Sequence, residues 1–133
     1  MRQQKQNIIV VESDPQILKG LVLMLEDMQF RVTPLHHLNE LEKIQTELHD
    51  DPVLIILPFE AIDGRTGHEW IMQLREDFQQ PIPAILLCHE NGLNPDSDIG
   101  KDIVVLSDHI TPHNLRLSIK TLLVQALLEK TNY

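Results

Sequence analysis

The segment LIILPFEAIDGRTG, from Leu54 to Gly67, begins as a run of apolar residues and ends as a glycine-containing loop. An apolar run without polar alternation is typical of a strand that is buried on both faces of a parallel sheet. Pro58 follows this run, and Thr66 with Glu69 then forms the capping box that begins a helix. The segment therefore predicts a buried strand, a loop and a helix, in that order.

Similar strand-length runs occur along the chain and alternate with segments of helical period. With the run at Val53 to Leu57, we predict strands at Ile8 to Val11, Arg31 to Leu35, Ala84 to Leu87 and Ile103 to Leu106. Such alternation is typical of an α/β fold in which helices cover both faces of a parallel sheet.

The helical segments carry start signals and inward-facing apolar residues. Asp14 can cap a first helix with Pro15 at its first position, and Thr111 followed by Pro112 opens the last helix, which we expect to run to about Lys130. The apolar positions at helical spacing, expected to face inward, are Ile17, Leu18, Leu21, Leu25 and Met28; Leu38, Leu41, Ile44 and Leu48 in a weaker second helix; Trp70, Ile71, Leu74 and Phe78; and Leu115, Ile119, Leu122, Leu123, Ala126 and Leu127.

One stretch interrupts this alternation. HENGLNPDSDIGK, from His89 to Lys101, contains two glycines, two asparagines and a proline but only two large apolar residues. Such a composition disfavours a packed helix, so we expect a loop or one irregular turn there.

Composition limits the classes of function. The length of 133 residues predicts a single domain over 1–133 with its core at about 7–128. Because 20 acidic residues oppose 11 Lys and Arg, the net charge of −9 should repel a phosphate backbone, and we expect no direct binding of nucleic acid. No apolar run approaches the roughly 20 residues of a bilayer span, and the start MRQQKQNIIV lacks an export signal, so we expect a cytoplasmic protein without direct membrane contact.

The order of these segments resembles the receiver domain of two-component signalling, and most closely the C-terminal receiver of hybrid sensor histidine kinases. The resemblance rests on IIVVESDPQIL, DDPVLIILP, DGRTGHEWIMQLRE, PIPAILLC and LSDHITPHNL, and it covers nearly the whole chain. It implies a flavodoxin-like five-stranded parallel sheet of order 2-1-3-4-5, with the fourth helix degraded or missing. The functional crevice of such a sheet lies beyond the carboxyl ends of its strands.

The resemblance also implies which residues stand at the functional positions, and most of them depart from the family pattern. Pro58 stands where an aspartate accepts the phosphoryl group, although a shift of one residue would place Phe59 there. In the acidic pair that holds Mg²⁺, Glu12 is kept but Ser13 replaces the second carboxylate, with Asp14 next to it. At the switch positions, a hydroxyl residue becomes Cys88, and the expected lysine and proline become Asp108 and His109.

These departures predict a pseudo-receiver, that is, a receiver-like domain that is not phosphorylated and acts as a protein-interaction or regulatory module. We also expect it to be non-catalytic, with weak or absent Mg²⁺ binding and no cofactor. Two alternatives stay open. One is an active phosphorelay receiver with a surrogate acceptor, for which the candidates are Asp63, Glu60 and Asp14. The other is a sensor of a small ligand or cation that uses Glu12, Asp14 and Asp108; the simpler interpretation of these three carboxylates is that they are solvated loop residues.

Other reactive residue types have simpler interpretations. The seven histidines show no spacing typical of a zinc site on one element, so we predict no metal. Cys88 is expected to be a small buried residue, and Trp70 and the methionines at helical spacing are expected to belong to the core.

The last helix has more apolar surface than one buried face needs, because Leu117, Val124 and Leu128 extend its apolar arc. We expect this arc to contact a protein, either a second copy in a homodimer or a histidine kinase, including the kinase body that would precede a C-terminal receiver. The simpler alternative is a helix end tucked under a loop.

Overall fold

The computed structural model describes residues 6–37, 40, 52–60, 64–88, 102–107 and 110–131, with side chains as far as 128. The described strands are β1 (Asn7–Val11), β2 (Arg31–Leu35), β3 (Leu54–Pro58), β4 (Ala84–Cys88) and β5 (Ile103–Ser107). The described helices are α1 (Pro15–Asp27), α2 (Gly67–Phe78) and α3 (Pro112–Thr131). The predicted second helix at Leu38 to Leu48 and the predicted loop at His89 to Lys101 lie outside the described residues.

The five strands form one parallel sheet in the order β2-β1-β3-β4-β5, which confirms the predicted fold. Every residue of β1, β3 and β4 is buried, as their apolar runs predicted, and the polar Asn7 at the start of β1 is buried with them. β2 and β5 are the edge strands, and four of the five residues of β5 are only half-buried. Pro34 lies in the edge strand β2, where a missing amide hydrogen is tolerated.

Apolar residues cover both faces of the sheet. On one face, Leu18, Leu21 and Leu25 of α1 and Leu115, Ile119 and Leu122 of α3 pack against alternate strand residues. On the other face, Ile71 and Leu74 of α2 pack with Ile9, Ile55 and Leu86. The even and odd strand positions therefore belong to different clusters, as expected for a sheet covered on both sides.

The predicted helix starts are confirmed. The side chain of Asp14 accepts hydrogen bonds from the amides of Gln16 and Ile17 at the start of α1, and Pro15 is the first helical residue. Thr66 and Glu69 form the predicted reciprocal capping box at the start of α2. At the other end of α2, the guanidinium Nε of Arg75 donates to the carbonyl oxygen of Ile82 at 3.0 Å and so ties this helix to the segment before β4.

Two core predictions are wrong. Leu127 was expected to face the sheet but is 63% exposed, because α3 continues past the edge of the sheet at which the strands begin. Met72 was expected in the core but is 49% exposed, since the residues of α2 that face the sheet are Ile71 and Leu74. Trp70 is half-buried and packs against the core cluster on the α2 face of the sheet, as predicted, and Arg65 lies over its ring at 5.1 Å from the centroid.

No helix among the described residues is both long enough and apolar enough to cross a membrane.

Candidate functional site

The carboxyl ends of the parallel strands meet at one edge of the sheet, and the predicted site residues stand at these ends. Glu12 follows β1, while Pro58, Cys88 and Ser107 are the last residues of β3, β4 and β5. The strand order reverses between β1 and β3, which is where an open α/β sheet forms its crevice. The fold therefore brings Glu12 and Pro58 to the two sides of this reversal.

Glu12 is buried, at 2% exposure, so the interpretation of this residue as a solvated loop carboxylate is wrong. Its amide donates to the carbonyl oxygen of Leu35 at 3.0 Å, which carries the β1–β2 pairing one residue past the strands. Its carboxylate Oε1 accepts from the amide of Asp14 at 3.1 Å. The side chain thus folds back on its own loop, where a backbone donor offsets part of the cost of burial.

Ser13 and Asp14 are exposed, as a solvated loop predicts. Asp14 Oδ1 accepts from the amides of Gln16 at 2.9 Å and Ile17 at 3.3 Å. This carboxylate is therefore used as the N-cap of α1, a role that orders the loop between β1 and α1.

Pro58 is buried and ends the central strand β3, in register with Leu87 of β4. The next amide, that of Phe59, donates to the carbonyl oxygen of Leu87 at 2.8 Å, so the β3–β4 pairing continues one residue past Pro58. The amide of Gly67 donates to the carbonyl oxygen of Phe59 at 3.2 Å. The start of α2 is thereby held against the end of β3.

Some of the remaining predicted site residues lie within the part of the chain that the structure describes, and others lie outside it. Cys88 is buried at the end of β4, as expected. Ser107, the last residue of β5, is exposed. Asp108, His109 and the surrogate candidate Asp63 lie outside the described residues, so their placement in the crevice stays a prediction. Within the described part of the chain, no group of three His, Cys, Asp or Glu side chains could hold a metal ion.

The predicted interaction surface on the last helix is exposed. Leu117, Val124 and Leu128 of α3 are 56%, 47% and 57% exposed. Together with the exposed Thr121 they recur at intervals of four, three and four residues, the spacing of a coiled-coil seam. Thr121 donates its hydroxyl to the carbonyl oxygen of Leu117 at 2.9 Å, so a partner covering this stripe would leave no unpaired hydroxyl.

Sequence reasoning missed Leu127 as a surface residue, and it also missed the exposed Leu23 of α1. The signal for Leu127 was present in the element lengths. A helix of 20 residues spans about 30 Å, whereas a five-residue strand spans about 17 Å, so the end of α3 must pass beyond the sheet.

Solved structures show the same fold. The chain is similar to a response-regulator receiver domain from Clostridium thermocellum, with 18% identity and a TM-score of 0.76, over 92% of this chain and 98% of that one. It is also similar to a receiver domain from Methanospirillum hungatei, with 21% identity and a TM-score of 0.75, over 95% of this chain and 99% of that one.

A third similar structure is the receiver domain of a signal transduction histidine kinase from Syntrophus aciditrophicus, with 21% identity and a TM-score of 0.69, over 90% of this chain and 91% of that one. No family model and no curated protein matches the sequence. The chain therefore has the fold of the response-regulator receiver domains of two-component systems.

Proposed function

We propose that this chain is a receiver-fold protein-interaction module that does not accept a phosphoryl group. The observation that supports this most strongly is the position of Pro58, the buried last residue of the central strand β3. The resemblance to receivers puts the acceptor carboxylate at this strand end. Phosphoryl transfer to a protein side chain requires a nucleophilic oxygen, and a proline side chain has none.

The neighbouring residues support the same proposal. The second acidic position is the neutral and exposed Ser13, which is a poor substitute for a carboxylate ligand of Mg²⁺. Cys88 offers a weak hydrogen-bond donor where a hydroxyl would hold the phosphoryl oxygens. In the sequence, Asp108 brings negative charge to the position at which a lysine would stabilise the transferring group.

Two of the three surrogate acceptors, Asp14 and Glu60, gain little support. Asp14 Oδ1 accepts from two backbone amides at the start of α1, and a carboxylate held in this way is a weaker nucleophile than a solvated one. Glu60 follows Phe59 and is half-buried, outside the strand that presents the acceptor in the resembling family. Neither residue stands at the end of β3.

The phosphorylation test uses acetyl phosphate with Mg²⁺ and intact-mass measurement, with an active receiver domain treated in parallel as the control. We expect the control to gain one phosphoryl group and this chain to gain none. Beryllofluoride with Mg²⁺ should likewise leave its NMR spectrum unchanged. A stable increment that maps to an acidic residue would overturn the proposal and favour the surrogate-acceptor alternative.

The interaction function is assigned to the stripe of Leu117, Thr121, Val124 and Leu128 on α3. Each of the three aliphatic side chains is about half exposed, and burial of apolar area contributes roughly 25 cal/mol per Å² before the cost of association. That contribution suits a weak homodimer or a docking site for a histidine kinase. Without phosphorylation, any switch must come from a partner that prefers one conformation of the domain.

A further inference from the structure

A groove of about 740 Å³ opens at the edge of the sheet opposite the candidate site. Its floor is formed by residues that precede the strands: Phe30 before β2, Pro52 and Val53 before β3, and Pro81 and Pro83 before β4. Because parallel strands all begin at the same edge, these segments come together there although they are distant in the sequence. The groove is therefore separate from the crevice at the carboxyl ends.

The second wall of the groove is the end of α3. Leu122 is the last fully buried residue among the described side chains of this helix, and Leu123, Val124 and Leu127 line the groove where the helix passes the strand starts. Val124 and Leu127 are 47% and 63% exposed, so this wall is apolar but open to water. Proline lacks an amide hydrogen, so Pro52, Pro81 and Pro83 make a floor that is poor in hydrogen-bond donors.

The charge of the groove is opposite to the charge of the chain. Among the described lining residues, Arg116 and Lys120 of α3 are the charged ones, and none is acidic. The whole chain carries a net charge of −9. The two cations are four residues apart, which places them on one side of the helix about one turn from each other. The groove thus combines an apolar interior with two neighbouring cations.

We propose that this groove binds an organic anion with an extended apolar body and one acidic head, of the class of aliphatic monocarboxylates. The volume lies within the roughly 300–1,000 Å³ of ligand pockets, which are mostly apolar with a few polar groups that fix orientation. The apolar body would lie on Phe30, Val53 and Leu123, and the acidic head would pair with Lys120 or Arg116. The ligand would cover side chains of α3 that water now contacts.

The test measures the binding of octanoate, decanoate and dodecanoate, each below its micelle concentration, by isothermal titration calorimetry and NMR. Burial of the ligand's alkyl chain predicts a gain in affinity of up to about fourfold per added methylene group. Dodecanol and dodecyltrimethylammonium are the neutral and cationic controls. Dodecanoate should bind at least several-fold more tightly than either control, and equal binding of all three would overturn the role of the cations.

Variants locate the site. Arg116→Gln combined with Lys120→Gln should weaken dodecanoate while leaving dodecanol unchanged, and Leu127→Asp should abolish the binding of both. The matched control is Leu117→Asp, because Leu117 is 56% exposed on the same helix but does not line the groove. Circular dichroism and urea midpoints should match those of the parent for all variants, since every substituted residue is exposed. Unchanged dodecanoate affinity in Leu127→Asp would overturn the proposal.

The same ligands and variants would reveal two other possible occupants of the groove. Self-association that Leu127→Asp abolishes, in a protein that does not bind dodecanoate, would assign the groove to a second copy. Sedimentation with vesicles of phosphatidylglycerol, in the absence of monomer binding, would assign it to a membrane surface. Either result overturns the proposal, and neither depends on whether the chain accepts a phosphoryl group.

Discussion

The carbonyl oxygen of Pro58 lies so close to Gly67 that a Cβ on residue 67 would overlap it. The amide of Gly67 is also held by the carbonyl oxygen of Phe59 at 3.2 Å, so the first turn of α2 is fixed on the end of β3. This close approach requires a residue without a side chain. Gly67 thereby couples the shape of the candidate crevice to the position of α2.

We expect Gly67→Ala to destabilise the protein by about 1–3 kcal/mol, because the added methyl group can be accommodated only if strand or helix moves. Gly20→Ala in α1 is the matched control: a Cβ there meets no atom within 4 Å, so the same substitution should stabilise by up to about 1 kcal/mol. Urea unfolding measures both values. Equal effects of the two substitutions would show that the contact with Pro58 is not the cause.

Asp14→Ala should lower the free energy of unfolding by about 0.5–2 kcal/mol, since the amides of Gln16 and Ile17 lose their acceptor at the start of α1. Ser13→Ala is the control, because this neighbouring exposed side chain should contribute less than about 0.5 kcal/mol. Thermal or urea unfolding tests the pair. A loss in Ser13→Ala as large as in Asp14→Ala would contradict the capping assignment.

Asn7 is buried, and its Oδ1 accepts from the hydroxyl of Thr33 at 3.0 Å across the β1–β2 pair. Thr33→Val should cost about 1–3 kcal/mol because it removes the donor from a buried acceptor. Thr33→Ser keeps the hydroxyl and should cost less. In a double-mutant cycle, Asn7→Val should lose less stability when Thr33 is already valine, and strict additivity would show that the hydrogen bond contributes nothing.

Leu117→Glu combined with Leu128→Glu should leave stability within about 0.5 kcal/mol while abolishing self-association or kinase docking. Both side chains are more than half exposed, so the charges need not enter the core. Leu23→Glu on α1, where the leucine is 58% exposed, controls for a general loss of apolar surface. Circular dichroism checks the fold and sedimentation velocity checks association. An unfolded double variant would place these residues in the core and remove the basis for the interface.

The central part of the fold could be predicted from the sequence because β1, β3 and β4 are buried on both faces and are apolar except for Asn7 at the start of β1. Their order came from the resemblance, because periodicity does not report which strands are neighbours. The observed bounds of β3 differ by one residue from the predicted bounds, Val53 to Leu57: Val53 is half-buried before the strand, and the strand continues to Pro58. A proline at the last position of a strand leaves the preceding residue pairs intact. The apolar run alone therefore placed the end of β3 one residue too early.

The wrong predictions concern residues whose burial depends on the relative lengths of packed elements or on local hydrogen bonds. Leu127 has the spacing of an inward residue, but the sheet has ended where this residue lies. Glu12 has the composition of a solvated loop residue, but the amide of Asp14 gives its carboxylate a donor inside the fold. The groove could not be predicted because its floor joins segments before three different strands.

Cys88 is the only cysteine in the sequence, and it is 5% exposed at the end of β4. A thiol reagent attacks the thiolate and needs direct access to it, so modification of the native protein must wait for this strand end to open. The labelling rate of the unaltered chain therefore measures the free energy of opening at the crevice, without an introduced probe. A partner that closes the crevice should slow labelling, whereas an anion in the groove at the opposite edge should change it much less.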